Sequence, residues 1–128
     1  MAQMSDYLEN MLVDHVFRNT TFPTPGTVYV ALYSIDPTDA DNGTELTGSG
    51  YARKEIVMGA PTNGTSTNTA DVLFDTASGD WTTVTHIGIR DAATTGNLLM
   101  HKILASSVTV TSGNNFRITA GDLELTFA

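Results

Sequence analysis

The chain contains no cysteine, so neither a disulfide framework nor a thiolate metal site is available to it. Basic residues are few, because six lysines and arginines stand against fourteen acids, for a net charge of −8. The negative electrostatic potential of such a chain repels phosphate groups and disfavours direct binding to nucleic acid. The sequence has no apolar run long enough to cross a membrane, and its N-terminus lacks the features of a signal peptide. We therefore expect a soluble protein.

Thr, Ser, Gly and Asn are abundant in the sequence, whereas Lys and Glu are scarce. This bias favours strands and turns over helices. The length of 128 residues is that of one domain, residues 1–128, whose folding would bury about two-thirds of the surface of the unfolded chain. We expect a single, mainly β domain with its own core.

The clearest strand signature lies between Asp80 and His101. Residues 83–89 alternate in a way that leaves neither face purely polar, which predicts a strand covered on both sides. Residues 91–96 are typical of a turn, and residues 97–104 would form the return strand of a hairpin. Trp81 would cover one end of the core while its ring N–H finds a partner.

One amphipathic helix is predicted near the N-terminus, over residues 6–18. Ser5 is a suitable N-cap residue. The apolar face of the predicted helix has residues spaced at i, i+3, i+4 and i+7. It comprises Tyr7, Leu8, Met11, Leu12, His15 and Val16. A helix with one apolar face must lie against something, here either the β domain or a neighbouring subunit.

The remaining strands are expected between residues 27 and 127. They cover residues 27–33, 51–57, 71–74, 107–111, 116–119 and 122–127. Polar loops over residues 34–50 and 59–69 separate them, and Leu123, Leu125 and Phe127 would face inward. About eight short strands separated by turns predict an antiparallel β-sandwich, jelly-roll-like.

Metal binding and catalysis have little support in the sequence. The acids of the first loop lack the EF-hand spacing, so a solvated loop is favoured over a calcium site. His86 and His101, with Asp91 between them, would converge across the hairpin as metal ligands or an acid/base pair, but no further ligand is evident. Strand histidines that bond to backbone are the favoured alternative. With no serine in a G-x-S-x-G turn, we expect no enzyme, cofactor or metal.

Three stretches together resemble a family of small virion proteins of tailed bacteriophages. They are SDYLENMLVDHVFRNT from Ser5, VYVALYSIDPTDADNG from Val28 with GSGYAR after it, and WTTVTHIGIRDAATTGNLLMH from Trp81. Members are often labelled tail fibre proteins, and some are capsid decoration, or cement, proteins. The resemblance implies a virion structural protein, a β-sandwich of jelly-roll type and a homotrimer. It supplies no active-site residues.

The place of the protein on the virion has two candidate answers. The sequence lacks the repeats that lengthen a fibre, and its acidity suits the outside of a head. We therefore expect a capsid decoration protein that binds the major capsid protein and stabilises the mature shell. The alternative is a tail or tail-fibre component that binds tail proteins, with host-surface adhesion in which Trp81, Tyr29 and Tyr51 stack on sugars. Synthesis would take place in the cytoplasm of the host bacterium.

Contacts with partners are expected from two segments. The first is the helix with its Pro-rich exit, where the candidate residues are Tyr7, Met11, Phe17 and Phe22. The second is the first polar loop, where they are Asp36, Asp39, Asp41 and Glu45. The alternatives left open are that the first group fills the core of the domain itself and that the loop is only solvated.

Overall fold

The structure is a computed structural model that describes residues 2–127. Its helix and strands, in chain order, are β1 (Gln3–Met4), α1 (Asp6–Phe17), β2 (Val28–Ile35), β3 (Thr44–Glu45), β4 (Lys54–Ile56), β5 (Thr65–Thr67), β6 (Val72–Leu73), β7 (Val84–Arg90), β8 (Leu98–Val108), β9 (Arg117–Ile118) and β10 (Glu124–Thr126). The prediction of a mainly β, antiparallel fold with one N-terminal helix is confirmed.

The main sheet of the described residues runs in the order β1, β8, β7, β2 and β3, and β4 also pairs with β2. β2 is central, as predicted, because β7 pairs along one edge while β3 and β4 share the other. The predicted hairpin is formed by β7 and β8, with Gly88 opposite His101. All of these pairings are antiparallel.

Two small sheets lie apart from the main one within residues 2–127, and they pair β5 with β10 and β6 with β9. β5 falls in the stretch 59–69, and β3 in the stretch 34–50, both of which were predicted to be only loops. Residues 107–111 do not form a strand of their own, because β8 continues as far as Val108. The jelly-roll arrangement is not confirmed by this pairing.

One face of the main sheet packs into the larger hydrophobic core, where Trp81 lies at one end. Its side chain is 5% exposed, and its indole N–H donates a hydrogen bond to the backbone oxygen of Ser49 at 2.9 Å. The ring of Tyr51 meets it edge-on at 5.6 Å and stacks on Phe74. Trp81 thus has both the burial and the hydrogen-bond partner that the sequence predicted.

The opposite face of β2 and β7 carries a smaller buried cluster of Ala31, Tyr33 and Leu98. Tyr33 crosses directly over Gly88, where a Cβ atom would lie only 2.8 Å from the tyrosine ring. β7 is therefore covered on both sides for part of its length, as its mixed alternation predicts.

The helix α1 is fixed at its N-terminus. The Oγ atom of Ser5 accepts a hydrogen bond from the Leu8 amide at 3.2 Å and donates one to the Leu98 oxygen at 2.5 Å. The Ser5 amide donates to the Leu99 oxygen, so the cap is tied to β8. α1 has 12 residues, and the part of the chain that the structure describes holds no helix long and apolar enough to cross a membrane.

The predicted apolar face of α1 is right only in its first half. Leu8 is buried, and Tyr7 and Leu12 pack against the core. His15 and Val16 are exposed, contrary to the prediction, because contact between the helix and the core ends at Leu12.

Candidate functional site: the acidic loop and the N-terminal helix

Residues 36–50, the acidic loop, hold the second group of predicted contact residues. The loop carries four acidic side chains, which are Asp36, Asp39, Asp41 and Glu45. Each of them lies within ion-pair distance of a basic side chain on β7, on β8 or just before β4. The acidic residues of the loop therefore contact the sheet, and Glu45 is itself part of β3, so the loop is not merely solvated.

Asp41 forms a bidentate ion pair with Arg90 at the end of β7. The distances are 2.8 Å from Nη1 to Oδ1 and 2.9 Å from Nη2 to Oδ2. Arg90 also donates to the Tyr33 hydroxyl and to the Gly96 carbonyl, so one guanidinium joins the loop, the sheet and the hairpin turn. Burial alone would lower the pKa of Arg90, but its hydrogen bonds to Asp41 and Tyr33 outweigh burial and raise it.

Glu45 is held by Arg53 and Tyr51. The Arg53 guanidinium donates to both carboxylate oxygens at 2.8 and 2.7 Å, and the Tyr51 hydroxyl donates at 2.7 Å. Arg53 further donates to the backbone oxygens of Ala92 and Thr95 in the hairpin turn. Burial would raise the pKa of Glu45, but the hydrogen bonds from Arg53 and Tyr51 outweigh it and lower the pKa below its usual value.

Asp36 and Asp39 meet the two strand histidines. His101 is 4% exposed, and its Nε2 atom lies 2.7 Å from Oδ1 of Asp39. The two carboxylate oxygens of Asp36 lie 3.7 Å from Nε2 of His86 and 3.8 Å from Nδ1 of His101. The histidines do converge, as considered from the sequence, but His101 bonds to a carboxylate of the acidic loop rather than to backbone.

Asp91, the acid that the sequence placed with these histidines, lies elsewhere. Its carboxylate accepts hydrogen bonds from the backbone and side-chain nitrogens of Asn97, at 2.6 and 3.0 Å, and so closes the hairpin turn. Among residues 2–127, no group of three or more His, Asp or Glu side chains is placed to hold a metal ion. The arrangement suits a structural clasp, because Asp41 and Glu45 are already engaged by arginine side chains, and Asp39 is hydrogen-bonded to His101.

The first group of predicted contact residues is divided by the structure. Tyr7 and Phe22 are half-buried and pack against the core, and Met11 is also half-buried. Phe17 is different, since its side chain is 80% exposed at the end of α1. Two of the four thus serve the core of their own domain, which was the alternative left open, and Phe17 alone among them leaves its ring in solvent.

Val13 was not among the predicted contact residues, but its exposure makes it a candidate. It is 52% exposed and lies one turn before Phe17, so the two side chains are neighbours on the helix. The signal was present in the sequence as an apolar pair at i, i+4 outside the predicted face.

Of the three aromatic residues considered for sugar stacking, Trp81 is buried and Tyr51 is half-buried and packed against the core. Trp81 is buried and bonded through its indole N–H. The hydroxyl of Tyr51 accepts from the Leu32 amide and donates to Glu45, and its ring packs between Phe74 and Trp81. These rings stabilise the core.

Comparison with curated proteins found none that matches the chain. A protein-family model does match, over residues 3–126, and its description is podophage GP4 fiber I protein gp80. The match covers nearly the whole chain, which makes the protein a structural component of a phage virion. The chain therefore belongs to the podophage GP4 fiber I protein family.

Proposed function

We propose that this protein is a component of the tail fibres of its virion. The observation that carries the proposal is the family match, which spans residues 3–126 and names a fiber protein. It favours the tail-fibre alternative over the capsid decoration that the sequence alone led us to expect. The partners in this proposal are tail proteins of the virion.

The acidic loop supports a structural role without a catalytic step. Arg53, Arg90 and His101 hold the carboxylates of Glu45, Asp41 and Asp39, and these contacts rigidify the domain. A module of this kind presents a fixed surface to its neighbours. The homotrimer implied by the resemblance stays a prediction, and so do contacts through the carboxylates of the acidic loop.

Capsid decoration is the second candidate, and the net charge of −8 favours it. An acidic surface is suited to the outside of a DNA-filled head, and the chain has no fibre-lengthening repeat. In that role the protein would bind the assembled shell better than its free subunits and so shift assembly forward.

Electron microscopy of intact virions labelled with gold-conjugated antibody against this chain tests the proposal. The fibre role predicts label at the tail, confined to the fibres or their attachment points. Label spread over the head would contradict it and would support decoration. Virions from a phage that lacks the gene provide the control for antibody specificity.

A further inference from the structure

A polar cleft of about 520 Å³ lies between the acidic loop, the hairpin turn and the segment before β4. This volume falls within the range of small-ligand sites. The residues that line the cleft come from three stretches of the chain, within residues 45–48, 51–53 and 93–95. Binding residues concentrate on loops that a rigid scaffold holds in place, and two of these stretches end in the main sheet.

The walls of the cleft are fixed to one another by Arg53. Its guanidinium donates to both carboxylate oxygens of Glu45 and to the backbone oxygens of Ala92 and Thr95, so it joins the acidic loop to the hairpin turn. The side chain of Arg53 is only 8% exposed, and that of Glu45 is 22% exposed. A site whose walls are already ordered loses little conformational entropy when a ligand binds.

The pair of Glu45 and Arg53 keeps some hydrogen-bonding capacity. A guanidinium has five N–H donors, and four of those of Arg53 are engaged by Glu45 and by the two backbone oxygens. A carboxylate has about four acceptor positions, and Arg53 and Tyr51 occupy three of those of Glu45. One donor and one acceptor remain on side chains that line the cleft. A hydroxyl group satisfies both kinds of site, because it donates and accepts.

The charges of the cleft favour an uncharged ligand. Among the described residues that line it, the charged ones are Glu45 and Arg53, and their charges cancel. The hydrogen bond with Glu45 raises the pKa of Arg53, so the guanidinium stays ionised. The net charge of −8 on the whole chain repels anionic ligands.

The rim of the cleft combines hydroxyl groups with small apolar groups. Thr47, Thr94 and Thr95 are exposed, and so are Ala52 and Ala93. A saccharide offers the matching groups, which are hydroxyls and the C–H groups of its ring. A cavity of about 150 Å³ holds benzene, so a hexose, with about twice as many non-hydrogen atoms, needs about 300 Å³. The cleft therefore has room for one hexose and part of a second.

We infer that this cleft binds a neutral saccharide, with Glu45 and Arg53 hydrogen-bonded to its hydroxyl groups and Thr47 and Thr94 at its rim. The site is distinct from the stacking of sugars on aromatic rings, because the rings of Trp81 and Tyr51 pack in the core. That the saccharide belongs to the surface of the host cell rests on the proposed fibre function, whereas the binding itself does not.

A glycan array probed with the purified chain tests the binding. The array carries neutral oligosaccharides of bacterial surfaces and, for each backbone, a counterpart that bears a carboxylate or a phosphate group. We expect binding to neutral oligosaccharides and weaker binding to the acidic counterparts. No binding across the array, or a preference for the acidic counterparts, would overturn the inference.

Isothermal titration with the oligosaccharide that binds best tests the position of the site. We expect the double substitution Thr47→Ala and Thr94→Ala to raise the dissociation constant about tenfold or more, because two hydrogen-bonding groups are lost. The matched control is Thr24→Ala with Thr109→Ala, at exposed positions outside the cleft, and it should bind like the unmodified chain. All four threonines are exposed, so the far-UV spectra should not change. Equal affinity of the two double variants would place the binding elsewhere and overturn the inference.

The results distinguish this inference from the proposed function, because binding is measured on the purified chain. Gold label over the head together with binding to neutral oligosaccharides would contradict the fibre role and support the cleft. Label at the tail together with no binding on the array would support the fibre role and overturn the saccharide site.

Discussion

Asp41 and Arg90 are 49 residues apart in the chain, yet their side chains form two parallel hydrogen bonds of 2.8 and 2.9 Å. The pair closes the acidic loop onto the end of β7 and the hairpin turn. Arg90 is 7% exposed, so loss of its partner would leave a cation buried and unneutralised.

Replacing Asp41 with Asn tests that relationship. Asp41 has a φ of 55°, and Asn tolerates this left-handed conformation as well as Asp does, so the change removes charge without straining the backbone. The Asp41 side chain is partly exposed and the amide oxygen of Asn can still accept one hydrogen bond, so we expect a loss of about 1–3 kcal/mol in the free energy of unfolding. Urea denaturation followed by tryptophan fluorescence measures it.

The matched control for that prediction is Asp14→Asn, which removes the acid of the exposed Asp14–Arg18 pair on α1. Exposed pairs of this kind contribute about 0.5 kcal/mol or less. Equal effects of the two substitutions would show that the Asp41 pair is no stronger than an ordinary surface contact.

Glu45 should make the stability depend on pH in the acid range. Its pKa is lowered in the folded protein, so its stabilising contribution is fully present above its unfolded pKa, about 4.3, and is lost as the pH falls through the folded value. We expect Glu45→Gln to destabilise the protein at pH 7 and to differ less and less from the unmodified chain below about pH 4.

Unfolding curves at a series of pH values measure that difference. The control is Glu55→Gln, at an exposed position on β4, whose difference from the unmodified chain should stay small throughout. A Glu45→Gln difference that is independent of pH would mean that the carboxylate charge contributes nothing.

Gly88 should not tolerate a side chain. A Cβ atom there would lie 2.8 Å from both the Tyr33 ring and a methyl group of Leu98, in a buried cluster. We expect Gly88→Ala to lower the free energy of unfolding by about 1–3 kcal/mol. Gly26→Ala is the control, since a Cβ at that position meets nothing within 4 Å. If both variants unfold alike, the close packing of Tyr33 over the strand is wrong.

The cap of α1 is a further test of the fold. Ser5→Ala removes the acceptor for the Leu8 amide and the donor to the Leu98 carbonyl. We expect a loss of about 1–2 kcal/mol in the free energy of unfolding. Ser5→Thr keeps the hydroxyl and should retain much of that stability, so an equal loss in the two variants would point to packing rather than to the hydrogen bonds.

Local signals account for what the sequence predicted well. The N-cap at Ser5 marks the start of α1, and the alternation before residues 91–96 marks the β7–β8 hairpin, because both patterns involve residues close together in the chain. β5 was missed since its short Thr-rich stretch becomes a strand only through pairing with β10.

The partners of the charged side chains were beyond sequence reasoning. Asp91 was placed with the histidines because it lies between them in sequence, whereas the acid that bonds to His101 is Asp39, 62 residues away. Residue types indicate that ion pairs will form, but the register of distant strands decides which ones. The sequence also mispredicted which residues at the end of α1 are exposed. The reason is the same, because the length of helix that the core covers depends on tertiary packing.

The proposed place in the tail fibre is tested most directly by quantitative mass spectrometry of purified virions after heads and tails have been separated. The measurement compares the copy number of this chain with that of the major capsid protein in each fraction. The fibre role predicts that the chain travels with the tails, in far fewer copies than the shell protein. Recovery with the heads, in numbers comparable to the shell protein, would contradict it and establish the protein as capsid decoration.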